Sequence, residues 1–181
     1  MKGIVFTEFL EMVESKFGLE VVDEIIEKSS LESEGIYTSV GTYEFNEMVN
    51  LITNLSNTVK IDATTLLHTF GYYLFSSLGK AHPEVIKSYS NPLGLLYSIE
   101  DHIHVHVKKL YPDAELPTFK ILEKTEYSIS MIYASSRGLY SLAHGLIEKC
   151  FEHFNSSAIV SYELLNEDGT EVKFDIVQNG K

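Results

Sequence analysis

A chain of 181 residues with one cysteine, Cys150, cannot close an internal disulfide and cannot assemble a multi-cysteine zinc site. A reducing, intracellular setting follows as the expectation. Long apolar runs are also missing: the N-terminal "MKGIVFTEFLEMVESKFG" is interrupted by Glu8, Glu11 and Glu14, which excludes both a signal peptide and a membrane span. There is no internal repeat, low-complexity tract or linker. The scarcest side chain is arginine. Among fourteen basic residues only Arg137 carries a guanidinium, the group suited to gripping a carboxylate or phosphate with two parallel hydrogen bonds.

What is present is apolar and acidic. A 44% hydrophobic content at this length supports a core that needs no disulfides. The net charge of −12 repels phosphate backbones, so nucleic-acid binding is not expected. The chain also lacks an apparent catalytic nucleophile, acid–base pair or nucleotide-binding loop, which argues against an enzyme.

Helical spacing dominates the first two-thirds. Phe6, Phe9, Leu10, Val13 and Phe17 recur before Gly18, and Val22, Ile25 and Ile26 mark a second short helix. Thr42 is placed to cap a third, striped by Phe45, Met48, Val49, Ile52 and Leu55. Asp62 is placed to cap a fourth containing Leu66, Leu67, Phe70, Leu74 and Leu78, with Gly79 as its stop. His82-Pro83 and Asn91-Pro92 each pair a cap residue with proline at the first helical position. After Pro117 the texture alternates. "TFKILEK", "YSISMIYASS", "AIVSYELL" and "EVKFDIV" predict four strands, with the helical "GLYSLAHGLIEKCFEHF" between the second and third and a turn at Asn166 to Gly169. The expectation is a single α+β domain over 1–181: a mainly helical N-terminal region packed on a C-terminal four-stranded antiparallel sheet with one or more helices.

The segment "IEDHIHVHVKKLYPD" sets His102, His104 and His106 at alternate positions. On a strand all three would share a face; on a helix they would not. Leu96, Ile99, Ile103, Val107 and Leu110 follow at steps of three and four until Tyr111-Pro112, so the helix is preferred. At about 100° per residue, His104 lies roughly 160° from both neighbours and falls beside Leu93, Tyr97 and Tyr111 on the apolar arc. His102 and His106 flank the polar face with Ser98 and Lys109. They have no acidic or cysteine partner there, so no zinc site is assigned to them. His68, His82, His144 and His153 stand alone and receive no role. His104 is either a buried histidine satisfied by a hydroxyl or a ligand aimed inward.

A second constellation is "YASSR". If the chain stays extended, Tyr133, Ser135 and Arg137 project to one side and form a clamp for carboxylates or a phosphate; otherwise tyrosine and serine end a strand and arginine is solvated. One inward histidine and one anion clamp suggest a ligand with a metal at its centre and acids at its rim, which is the form of haem.

At these residues the chain resembles the haem-nitric oxide/oxygen binding (H-NOX) family, in its stand-alone bacterial form, the sensor module also found in soluble guanylate cyclase. The likeness rests on "MKG" and the apolar stretch behind it, on a histidine seven residues before "YP", on Pro117 and on the Y-x-S-x-R signature. The resemblance implies that haem b (iron protoporphyrin IX) lies between the helical and sheet regions, with His104 as axial ligand to iron and Tyr133, Ser135 and Arg137 on the propionates. It also implies that Val5 and Pro117 distort the porphyrin. Relatives that hold oxygen stably carry a tyrosine three residues before a glycine in the helix after the signature. Here that glycine is Gly145 and the matched residue is Leu142, while Leu74, Leu78 and Leu146 match other pocket positions. A cytoplasmic sensor follows, binding NO and CO at ferrous iron and excluding oxygen. Breakage of the His104–iron bond would then signal to a separate histidine kinase or cyclic-di-GMP enzyme. With Cys150 alone, the C-terminal cysteine zinc site of some relatives cannot form, so structural zinc is not expected. The alternative is a non-haem module whose interior holds a lipid or other carboxylated ligand against Arg137.

Overall fold

The computed structural model describes residues 1–180. The chain divides into two compact units, Met1–Phe70 and Gly71 onward. The first unit holds α1 (Gly3–Phe17), α2 (Leu19–Lys28), α3 (Phe45–Val59) and the start of α4 (Ala63–Ala81). The apolar stripes decide this packing: Phe6, Phe9, Met12 and Val13 of α1, Ile25 of α2, and Met48, Leu51 and Leu55 of α3 are essentially without solvent exposure. Phe6 stacks on Tyr37 with ring centroids 4.4 Å apart. Buried Glu47 is satisfied by the hydroxyls of Ser33 and Tyr37, as a buried carboxylate requires.

Two helix boundaries differ from the sequence expectation. Thr42 does not cap α3, which starts after Glu44. Thr42 instead pairs its backbone with Lys2, and the Lys2 ammonium donates to its hydroxyl at 2.8 Å, so the chain is held extended past the expected cap. Gly79 does not stop α4, which runs on to Ala81, because its backbone stays helical and nothing forces a left-handed turn there. Asp62 does cap, accepting from the Thr65 N–H at 2.9 Å.

The second unit continues with α5 (Pro83–Lys87) and α6 (Pro92–Tyr97), a π turn over Ile99–His104 and α7 (Val105–Leu110). Then come β1 (Thr118–Lys124), β2 (Ser128–Ala134), α8 (Tyr140–His153), β3 (Ala158–Leu164) and β4 (Glu171–Gln178). The strands form an antiparallel sheet in the order β1-β2-β4-β3. The Asn166 side chain accepts from the Glu171 N–H at 3.1 Å and fastens the β3–β4 hairpin. Strand alternation sends Ile129, Met131 and Tyr133 of β2 and Val172, Phe174 and Ile176 of β4 to one face. There they join Ala143, Ile147, Cys150 and Phe151 of α8 and Leu93, Leu95 and Leu96 of α6 in one core. No helix among the described residues is long and apolar enough to cross a membrane.

The histidine helix is not one continuous α-helix. Asn91 caps it as expected, accepting from the Gly94 N–H at 2.7 Å. At Ser98 the ladder widens, and one carbonyl accepts from both His102 N–H (2.9 Å) and Ile103 N–H (3.2 Å). The i→i+5 bond inserts about one residue into the turn and advances the phase of everything after it. Consequently Leu110, expected on the buried arc, is 47% exposed, while Tyr97, also expected there, is 48% exposed at the end of α6, before the π turn. His106, expected beside the polar face, is half-buried.

Candidate functional site

His104 closes the π turn with its side chain 14% exposed, and of the trio only His102 is exposed. Its Nδ1 lies 3.1 Å from a Glu100 carboxylate oxygen, one helical step back. A carboxylate only accepts, so Nδ1 carries the proton and Nε2 keeps the lone pair. The same Glu100 oxygen accepts from the Phe119 N–H at 2.7 Å, joining the histidine to β1. Burial pushes the His104 imidazole below its ordinary pKa; Glu100 opposes this and Lys108 adds to it. The neutral, ligand-competent form therefore survives to lower pH than for a free histidine.

The aromatic ring of Phe119 lies 5.9 Å from the His104 ring and 5.6 Å from that of Tyr133, so one residue of β1 links the histidine to the start of the clamp. Pro117 is half-buried immediately before β1. Tyr133 is 2% exposed at the end of β2, and burial raises its pKa, while the Ser135 side chain, the Leu139 backbone and the charge of Arg137 pull it down.

The chain does not stay extended through the signature. Ser135 N–H donates to Thr170 C=O, and the Ser135 hydroxyl oxygen accepts from the Arg137 N–H at 3.2 Å. Gly138 then takes φ +59°, where a Cβ would come within 2.8 Å of the Asp168 carbonyl oxygen, and the chain swings towards α8. Tyr133, Ser135 and Arg137 are therefore gathered by a turn rather than by strand alternation. The Arg137 guanidinium, 15% exposed, forms an ion pair with the Glu115 carboxylate and donates to the Glu115 C=O at 3.1 Å.

The leucine set lies on two other elements. On α4, Leu74 and Leu78 stand one and two turns beyond Gly71, whose Cβ, if present, would fall 2.0 Å from the Leu142 carbonyl oxygen on α8. Leu142 and Leu146 share a face of α8, both half-buried, and Leu74 is buried. Val5 is half-buried on α1 of the first unit. Glu100, Glu115 and Phe119 were missed by sequence reasoning. Only Glu100 left a local signal, four residues before His104 on a helical period.

These residues fit a haem. An imidazole oriented through Nδ1 with Nε2 available is the usual state of a metal-binding histidine, and a guanidinium already engaged with a carboxylate shows the chemistry that propionates need.

Comparison with known proteins agrees. Residues 2–162 match the family described as Haem-NO-binding. The crystal structure of the Fe(II) unliganded H-NOX protein from K. algicida is 54% identical, with 100% of this chain and 98% of that chain covered and a TM-score of 0.97. The solution structure of the IWP-051-bound H-NOX from Shewanella woodyi in the Fe(II)CO state is 39% identical, covering 99% and 95%, with a TM-score of 0.83. The crystal structure of an H-NOX protein from S. oneidensis in the Fe(II)NO state is 26% identical, covering 99% and 100%, with a TM-score of 0.91. The fold and the family match thus define a module of a haem-based gas-sensor family. The chain belongs to the Haem-NO-binding (H-NOX) family.

Proposed function

We propose that the chain, working over 1–181 as one domain, binds haem b and senses NO, and also takes CO, at ferrous iron while excluding oxygen. When bound, haem supplies an iron that accepts these gases. Everything else is done by the protein. His104 would hold the iron through Nε2; Tyr133, Ser135 and Arg137 would hold the propionates, and Val5 and Pro117 would press on the macrocycle. Leu74, Leu78, Leu142 and Leu146 line the gas side. They offer no hydroxyl or N–H to a gas that gains negative charge on binding, which disfavours oxygen more than NO or CO.

The observation that carries the reading is the shared carboxylate of Glu100, which bonds His104 Nδ1 and the β1 backbone at once. With His104 holding the iron, Glu100 would orient its ring and raise its basicity. A displacement of the His104 imidazole would move a carboxylate that also holds the Phe119 N–H, so it would be felt in β1 as well as in the π turn. The signal passes to a separate histidine kinase or cyclic-di-GMP enzyme in the cytoplasm.

The test is the absorption spectrum of the reduced protein, first in air and then with NO. The expected result is indifference to air and, with NO, loss of histidine ligation. A stable oxygen complex would refute the selectivity, and a protein that takes up no haem would return the case to the non-haem binding module. Glu100→Ala should speed haem loss by roughly tenfold, the scale on which an outer partner of a metal-bound histidine acts, read by transfer to a haem-scavenging protein. An unchanged rate would remove Glu100 from the mechanism.

A further inference from the structure

His106 has no partner within its own helix, and the tertiary structure sets two donors beside it. At the α4–α5 junction, His82 precedes Pro83 without using its side chain as a cap. Its Nδ1 lies 3.7 Å from a Glu84 carboxylate oxygen, and the same oxygen lies 3.9 Å from His106 Nε2. All three donor atoms fall within 4.8 Å of one another. The two imidazole rings meet edge to face with centroids 5.8 Å apart.

These separations are too long for hydrogen bonds, so the groups surround a common point instead of satisfying one another. His106 Nε2 is buried and makes no hydrogen bond, a state that costs free energy unless something accepts its lone pair or takes its proton. A tetrahedral zinc ion with ligands at about 2.0–2.1 Å holds its donors roughly 3.3 Å apart. The two Glu84 pairs need to close by about half an ångström and the pair of imidazole donors, within 4.8 Å of each other, by about 1.5 Å at most, with Glu84 63% exposed at the solvent side.

We propose that His82, Glu84 and His106 form a three-ligand site for zinc or a similar divalent transition-metal ion, completed by water. Two imidazoles and one carboxylate are the donor set such ions favour, whereas calcium and magnesium require oxygen ligands. The ion fastens the His82–Glu84 turn to the helix two residues beyond His104, so, resting on the sensor reading above, it braces the element that His104 release would move.

The experiment is zinc titration of the purified full-length protein, previously stripped of free metal, in competition with a chromophoric chelator. Expected is one zinc per chain, weakened at least about tenfold by His82→Gln and by Glu84→Gln. Both positions lie off the His104 helix, so an unaltered haem spectrum certifies their fold. His102→Gln, which removes an exposed imidazole bonded to Tyr89, should leave zinc binding intact. Zinc absorption-edge spectra should show two imidazoles. Equal affinity in all three variants, or no zinc bound to the unsubstituted chain, would overturn the proposal. None of these readouts depends on the gas response, so either reading can fail without the other.

Discussion

Replacing His104 with glycine and supplying imidazole in solution is expected to leave haem bound but to abolish the NO response. The imidazole fills the space and supplies the nitrogen ligand, but it is not joined to the chain. Its departure would therefore pull on neither the π turn nor, through Glu100, the Phe119 N–H of β1. The loss should be complete, because a ligand that makes no differential contact with the two states shifts no equilibrium. Hydrogen exchange over 99–110 and 118–124, with and without NO, reads it in the isolated protein, and the partner enzyme's activity reads it in the assembled system. Glycine at this position adds about 1 kcal/mol of backbone cost, so the free-protein baseline must be measured alongside. Unchanged NO regulation in this variant would sink the tether.

Leu142→Tyr is expected to confer oxygen binding. Leu142 is half-buried on α8, where a Cβ on Gly71 of α4 would fall 2.0 Å from its carbonyl oxygen, and it sits three residues before Gly145, the position at which the family resemblance implies a tyrosine in oxygen-holding members. A hydroxyl donating to a gas that carries negative charge contributes about 1.5–3 kcal/mol, as hydrogen bonds to charged groups do. That slows oxygen dissociation by roughly 10- to 150-fold. The larger ring must also be accommodated, at a cost of about 1–3 kcal/mol of stability. Stopped-flow oxygen release from the reduced variant measures the gain, with CO binding as a control for an intact pocket. A variant that still binds CO normally and remains indifferent to oxygen would show that Leu142 does not face the gas.

The acidic composition, the helix stripes and the alternating strands were legible because they are local: a period of 3.6 or 2 is written into neighbouring residues and needs no partner to be read. All four strands and α8 fall where the alternation and the helical run put them. The Asp62 and Asn91 caps were equally readable, each acting within three residues of itself. Thr42 failed as a cap because Lys2, forty positions away in the chain, competes for it.

The sequence by itself determined a helical region followed by an antiparallel sheet, and it singled out His104 as the inward histidine, since periodicity alone separates it from His102. Only the tertiary structure decided how that histidine is held. A π turn arises from how one carbonyl at Ser98 shares two amides, which no residue pattern specifies, and it re-phases His106 towards the interior. The partners that matter for chemistry come from other elements: the Phe119 N–H for Glu100, Glu115 for Arg137, and His82 and Glu84 for His106. Such pairings are long-range, and chain folding, not local spacing, sets which charges and lone pairs meet.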